Sequence, residues 1–408
     1  MTTESSPMNA SQPTYPLSGI TVIDLSHIYA GPYATFLMAM AGANVIKVEP
    51  LEGENLRSRG DMGGADLPFA MLNSNKQSVT LNLKTEQGKT LFREMVARAD
   101  VVVENFAPGV MDRLGLGAAE LQKINPRLIY GSSSGYGKTG PYRDYPAMDL
   151  VMQAMCGVVD STGYAELPPV KAGAAVCDFG AGTHLYAAVV TALYERERTG
   201  KGRVVEVSMQ DAIYSSLASN YGMLHARGES APARTGNKHA GLGISPYNAY
   251  ATKDGFVVLN APNDHHFRAV LDVIGRPDLK TDPRFVSRAT RVANMAAVDE
   301  LLESWSKTQM KHDVAKRMIA AGVPCAAVRT LKEVMNDENM HARGSLEWID
   351  HPVMGRIVLP NSPLIFEGTP RRAIEPNVTL GASNETVLGQ WLGHSAEEVA
   401  GYKADGVI

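Results

Sequence analysis

Six short runs rich in β-branched and apolar residues recur in the first half of the chain: ITVIDL at 20–25, NVIKV at 44–48, SVTLN at 78–82, VVVE at 101–104, LIY at 128–130 and RVVEV at 203–207. Helix-length segments separate several of them, with the clearest helical patterns up to Met40, over 85–99 and over 178–198. Strands joined through a helix must run parallel, because a crossover returns the chain to the same edge direction. The pattern therefore predicts an α/β fold with an open, doubly wound parallel sheet. In such a sheet the loops at the carboxyl ends of the strands face a ligand crevice. The first of these loops, Ser26-His-Ile-Tyr-Ala-Gly-Pro32, has no GxGxxG, so a dinucleotide fingerprint is missing.

Composition narrows the class. A chain of 408 residues, 44% hydrophobic, can bury a large core and more than one domain. A formal net charge of −4 lacks the basic footprint of a nucleic-acid partner. The three cysteines, Cys156, Cys177 and Cys325, are widely spaced and form no zinc or disulfide pattern, which points to a reducing, cytoplasmic home. Residues 1–15 lack a basic region and an apolar run, so they read as a disordered leader and not as a signal peptide. No apolar run approaches about 20 residues, so no membrane span is expected.

The stretch from Gly131 to Gly157, GSSSGYGKTGPYRDYPAMDLVMQAMCG, has the most chemistry. Asp149 stands there between Ala147-Met148 and Leu150-Val151. Burying such a carboxylate is costly unless it is hydrogen-bonded or used. It reads either as a nucleophile or as the N-cap of a helix starting near Leu150. The segment Gly135-Tyr-Gly-Lys138-Thr139 mimics the end of a P-loop. The required glycine falls on Ser132, however, and Gly140-Pro141 interrupts the helix that must follow. Nucleotide hydrolysis is excluded on that count. Met152 and Met155 read as core, and His265-His266 as a helix start.

Beyond 208–227, read as one helix, a polar glycine-bearing segment spans 228–243. A smaller α+β unit follows over 246–330. It has a hairpin around Lys253-Asp254-Gly255, helices at 264–275, 294–305 and 311–321, and a strand at 324–328. From 331 come a short helix, two strands around Met354-Gly355 and a last helix over 384–391.

Several stretches taken together resemble the class III coenzyme A transferases, the family of formyl-CoA transferase and carnitine CoA-transferase. They are LSGITVIDLSHIYAGP, GANVIKVEP, NKQSVTLNLKTEQGK, ADVVVENFAPGVMDRLGL, NPRLIYGSSSGYGKTGPY, MQDA and AAGVPCAAV. The resemblance covers nearly the whole chain. It implies a large domain made of 16–227 and the return segment 331–408, a linker with a glycine loop at 228–245, and a small domain at 246–330. It also implies an interlocked homodimer of ring-like chains. The catalytic aspartate it implies falls on Asp149. The CoA-contacting positions it implies are His27, Ile28, Tyr29 and Ala30, Leu72 through Lys76, Asn105 and Phe106, Arg113, and Gly137 with Lys138. No metal and no tightly bound cofactor are implied, the CoA thioester being a substrate alongside a carboxylic acid.

Chemistry suits these assignments. Lys76, Arg113 and Lys138 can neutralise the phosphates of CoA, and Phe106 can give adenine an apolar face. An aspartate with an ordinary pKa of about 3.9 is ionised at neutral pH and can attack a thioester carbonyl. An acyl–aspartyl anhydride and an aspartyl-CoA thioester then alternate, with backbone N–H groups steadying each oxyanion. Gly241 and Gly243 are candidates for a loop that covers them, and Arg57 and Arg59 for a second anion contact. The rival readings are an α-methylacyl-CoA racemase and a non-catalytic acyl-CoA binding protein. Racemases of this fold place a His before the position of Asp149 and an Asp at Asp178, and here the first position is Met148. Formyl-CoA transferases carry glutamine at the position of Tyr29, so Tyr29 argues for an acid larger than formate or oxalate, such as succinate.

Overall fold

The computed structural model describes residues 14–58 and 66–408. Most of the expected leader, and Arg59, lie outside the described residues. The chain divides into two compact units. The first holds the described residues up to Met152, Ala175–Ile213 and Asp337–Ile408. The second holds Gln153–Ala174 and Tyr214–Asn336.

The first unit is built on six strands: β1 (Thr21–Asp24), β2 (Asn44–Glu49), β3 (Lys76–Thr80), β4 (Val101–Glu104), β5 (Ile129–Ser134) and β6 (Val204–Ser208). They pair in the order β3-β2-β1-β4-β5-β6, and every pairing is parallel. The strand order reverses between β1 and β4, and crevices for ligands open at that point in doubly wound sheets. Both sheet faces are covered, which is why the strands read as continuous apolar runs and not as alternations. Ile23, Val102 and Tyr130 pack on one face with Leu91, Phe92 and Met95 of the helix Glu86–Arg98. Val22, Val101, Val103 and Ile129 pack on the other with Leu185 and Val189 of the helix Val176–Thr199.

That last helix corrects one expectation. Its 24 residues are long and apolar enough to cross a membrane by length and composition. Its apolar residues Leu185, Val189, Ala192 and Leu193 are buried against the sheet, and this packing accounts for its composition. Three further boundaries differ from the sequence reading. The serine run Ser132–Ser134 continues β5 instead of opening a loop. The segment from Met209 breaks into Met209–Tyr214, a 3-10 turn and Ala218–Arg227. A final helix, Ala396–Ala404, follows the Glu385–Leu392 segment, and a Ser395–Glu398 capping box starts it.

The second unit carries an antiparallel sheet in the order β7-β8-β9, from β7 (Tyr247–Thr252), β8 (Gly255–Asn260) and β9 (Cys325–Ala327). Thr252 pairs with Gly255, so Lys253 and Asp254 form the tight turn. Helices Asp264–Val273, Met295–Ser306 and Lys311–Ala320 bury Phe267, Leu271, Leu302 and Met318 with Tyr250, Val257 and Leu259 of the sheet.

Candidate active site

The switch point joins two of the expected loops. His27 follows β1 and Asn105-Phe106 follows β4. The His27 N–H donates to Asn105 Oδ1 at 2.9 Å, and Asn105 Nδ2 donates back to the His27 carbonyl at 2.9 Å. The His27 and Phe106 rings lie 5.4 Å apart, tilted by 59°. The loop is tightly folded. Ile28 has a φ of 64°, a left-handed conformation that branched residues adopt only under constraint. A Cβ on Gly31 would meet Ser26 Cβ at 2.2 Å, so only glycine fits there.

A buried ionic cluster underlies this loop. Asp24 accepts from Lys76 Nζ at 2.9 Å, from Thr35 Oγ1 at 2.6 Å, from the Ser26 N–H at 2.9 Å, and from the Ser26 hydroxyl. Lys76 Nζ also meets the Pro32 carbonyl at 3.0 Å, Thr35 Oγ1 at 2.8 Å and Asn73 Oδ1 at 3.0 Å. Lys47 Nζ donates to the Ser26 carbonyl at 2.8 Å. These partners hold the Asp24 carboxyl far below the usual range against the opposing effect of burial, the largest influence on it. Burial lowers the Lys76 ammonium to about 8 although Asp24 supports its charge.

The cluster overturns the role expected for Lys76. Its three N–H groups face four protein oxygens in the interior, and none is left for a phosphate. Leu72 and Ala30 are likewise buried. The Tyr29 ring stacks on Phe179, with centroids 5.9 Å apart. Arg57 is corrected too, because its guanidinium forks onto Glu49 at 2.9 and 3.0 Å and reaches the Val378 carbonyl.

Three clefts meet at Phe106. The first, of about 270 Å³, is lined by His27, Ile28, Asn105, Phe106, Ser134, Tyr145, Met148 and Asp178. The second, of about 560 Å³, runs along the carboxyl ends of β1 to β4 and is lined by His27, Pro50, Asn82, Lys84, Phe106 and Arg113. The third, of about 590 Å³, adds Glu104, Tyr130, Lys138 and Arg143 to Phe106 and Arg113. Gly137 adopts a φ of 85° and its N–H donates to Ser134 Oγ at 3.0 Å, which places Lys138 beside the Tyr130 ring, 5.2 Å from its centre. His27, Ile28, Asn105, Phe106, Arg113 and Lys138 are thus gathered around one side chain. Tyr29, Ala30, Leu72 and Lys76 do not line these clefts.

The carboxylates separate by environment. Asp149 opens the helix Asp149–Met155 and caps the start of a second one. Its Oδ1 accepts the N–H groups of Cys177 at 2.9 Å and Asp178 at 3.1 Å, in the first turn of Val176–Thr199. Its neighbours Met148 and Leu150 are 53% and 55% exposed, so the apolar flanks do not bury it. Met152 is buried as expected, whereas Met155 is exposed.

Asp178 is 6% exposed and lines the first cleft, and Asp149 is not among the lining residues. No hydrogen bond to the Asp178 side chain is found among the described residues. Burial, and then the Asp149 charge, push its carboxyl up to about 7. Glu104 is also pushed up to about 7 by burial, against the Phe106 N–H at 2.9 Å, Lys138 and the Tyr130 hydroxyl at 3.3 Å.

The sequence reading brings in Asp178 only through the racemase comparison and passes over Glu104 and Lys84. Glu104 closes the apolar run Val101–Val103, the same signal that singled out Asp149. Lys84 is exposed just past β3, where the carboxyl-end rule for parallel sheets points. Among the described residues, no group of three or more His, Cys, Asp or Glu is placed to hold a metal ion. In the second unit, the Gly241 N–H donates to His239 Nδ1 at 3.1 Å and Leu242 has a φ of 46°.

Comparison with known proteins identifies the family. Residues 17–384 match the model of CoA-transferase family III. The acetyl-CoA:oxalate CoA-transferase of Acetobacter aceti is 41% identical over 90% of this chain and 92% of that protein. The formyl-CoA:oxalate CoA-transferase of Streptomyces coelicolor is 36% identical over 96% of this chain and 99% of its own length. The succinyl-CoA–D-citramalate CoA-transferase of Chloroflexus aurantiacus is 33% identical over 98% and 100%. Among solved structures, a CAIB/BAIF family protein from Brucella suis superposes with a TM-score of 0.81 at 34% identity, covering 93% of this chain and all of that one. The chain belongs to CoA-transferase family III.

Proposed function

We propose that this CoA-transferase works through covalent intermediates on Asp178, a role the sequence reading gave to Asp149. One observation carries the choice: Asp178 is a buried carboxylate that lines the switch-point cleft without a hydrogen-bond partner among the described residues. A cleft-facing carboxylate with no protein donor on it is open to an incoming electrophile. Asp149 is committed to the N–H groups of Cys177 and Asp178.

An ionised Asp178 oxygen attacks the thioester carbonyl. The C–S bond breaks and its electron pair leaves on the CoA thiolate, giving a mixed anhydride. The thiolate attacks the aspartyl carbonyl and expels the donor acid, leaving an aspartyl-CoA thioester. The acceptor carboxylate attacks this thioester and releases thiolate, which then attacks the acceptor's acyl carbon. The new acyl-CoA departs and the Asp178 carboxylate is restored. Acyl activation is retained at every step, so no external energy source enters.

The CoA nucleotide end fits the second cleft. Arg113 and Lys84 there supply cations for phosphate, and Phe106 a face for adenine. His27, Ile28 and Asn105 would guide the thioester toward Asp178, and Lys138 would extend the cationic wall in the third cleft. The relatives named for oxalate place oxalate first in an acceptor panel, ahead of the larger acid that Tyr29 suggested. The racemase reading lacks its base, since Met148 stands in the cleft lining at that position.

The resemblance further supports an interlocked homodimer, and the exposed apolar side chains Met148, Leu150, Val151 and Tyr194 are the surface expected to be covered by a second chain. The three cysteines form no disulfide among the described residues, which suits a reducing cytoplasm.

Incubation with an acyl-CoA donor alone, followed by peptide mass analysis, tests the central reading. An adduct on the peptide bearing Asp178, lost in Asp178→Asn, is expected. An adduct on Asp149, or one that survives Asp178→Asn, overturns it.

A further inference from the structure

The start of the helix Val176–Thr199 offers unpaired N–H groups and the positive end of the helix dipole, both of which stabilise a nearby carboxylate. Asp178 lies within that first turn and would ordinarily benefit. The two N–H groups are instead turned to a different carboxylate, on the helix Asp149–Met155: Asp149 Oδ1 takes Cys177 N–H at 2.9 Å and Asp178 N–H at 3.1 Å. Asp178 is left buried, facing the cleft, with no hydrogen bond to its side chain among the described residues.

We propose that Asp149 is a positioning residue that keeps the Asp178 carboxylate basic, by occupying the helix-end N–H donors and fixing a like charge beside it. The inference rests on Asp178 being the nucleophile. Its consequence is chemical. A carboxylate deprived of donors and set beside another negative charge is high in free energy while ionised. Acylation turns Asp178 into a neutral anhydride or thioester and removes that penalty. The free carboxylate is raised relative to each covalent intermediate, so the arrangement favours attack and disfavours loss of the intermediate back to carboxylate. A new C–O bond forms at the acyl carbon, the C–S bond breaks, and the thiolate carries off the electron pair. No proton is needed when Asp178 starts ionised.

The groups facing Asp178 across the cleft agree. His27, from the loop after β1, has its imidazole held below the usual value by burial and by Lys47, so it is neutral near pH 7. Tyr145, from the segment after β5, lines the same cleft. Asp149 is the charge that acts on Asp178, and burial and Asp149 together raise its carboxyl to about 7.

The test is the rate of single-turnover adduct formation, with donor alone, followed from pH 5 to 9. Asp149→Asn keeps an oxygen for both N–H groups and removes the charge. In the unaltered protein the rate should rise with a midpoint near 7. In D149N the midpoint should fall by about one unit or more, and the plateau should drop about tenfold because the carboxylate is less basic. Asp149→Ala, which also frees the donors, should lower the midpoint further. An unchanged midpoint in D149N overturns the inference while leaving the nucleophile assignment intact. Adduct surviving Asp178→Asn overturns the assignment itself. If D149N does not fold, carbodiimide labelling of Asp178 in the unaltered protein reads its ionisation directly. A midpoint near the ordinary value of about 4 refutes the inference.

Discussion

Asp24 and Asp178 are both buried aspartates in the first unit, and they are handled in opposite ways. Asp24 closes β1 and is met by Lys76, Thr35 and Ser26. Its carboxyl is held far below the usual range. Asp178 has burial and a like charge, and sits at about 7. Burial alone therefore does not mark a reactive group. The number and sign of the partners decide whether a buried carboxylate holds the fold together or is available for chemistry.

The largest effect expected from this contrast is on turnover. Asp178→Asn should lower kcat by about 10⁴-fold or more, the scale on which removal of a covalent nucleophile acts. Asp24→Asn should leave the residual folded enzyme able to form adduct. If both variants lose adduct formation per folded molecule equally, the contrast fails. Adduct yield normalised to the native fraction by circular dichroism decides it.

Stability should show the reverse order. Lys76→Met removes one partner of a buried ion pair and leaves Asp24 unpaired, at a cost of about 3–5 kcal/mol. Replacing both, Asp24→Asn with Lys76→Met, should recover part of this loss, since no charge is then stranded. Thermal melts that find the single and double variants equally weak would mean that loop packing, and not the pair, is what the cluster supplies.

The two aspartates should also depend on pH with opposite sign. The folded-state pKa of Asp178 lies above its unfolded value, so its contribution to stability is complete below about pH 4 and is lost as the pH rises through 7. A shift of this size amounts to at most about 4 kcal/mol. Asp178→Asn should therefore melt higher than the unaltered protein at pH 8, by a margin that shrinks toward pH 4. Asp24 has a depressed folded-state pKa, so its contribution is present above about pH 4 and is lost as the pH falls further. Melting curves of both variants at pH 4 and 8 would expose any error of sign.

The sheet was legible because parallel strands covered on both faces must be apolar throughout. β4 reads as Val101-Val-Val-Glu104 in the sequence and in the fold alike. The serine run of β5 was not legible, because small polar residues resemble a loop until the neighbouring strand supplies their pairing. At the site, His27 and Asn105-Phe106 were found because they follow strands. Lys76 was misjudged because its chemistry suits phosphate equally well, and only the fold places Asp24 against it. Asp149 and Asp178 are 29 positions apart along the chain. Nothing local indicates which of them holds the helix end and which faces the cleft.

The cations repeat the lesson on a smaller scale. Lys76 is buried and fully paired, whereas Arg113 and Lys84 are exposed in the second cleft. An exposed cation already solvated by water gains only a modest net amount from a phosphate, and long side chains lose rotamer freedom when they bind. Arg113, whose guanidinium can fork onto phosphate oxygens, should matter more than Lys84, which offers a point charge. Arg113→Ala is expected to weaken CoA binding by about 1–3 kcal/mol and Lys84→Ala by about half as much, with adduct formation at saturating donor little changed. Both losses should shrink as salt is raised, since the contacts lie in solvent. Calorimetric titration with CoA at two ionic strengths measures this. Equal affinity in all three proteins would remove Arg113 and Lys84 from the binding path and leave Lys138 and Arg143, which line only the third of these clefts, as the place to look.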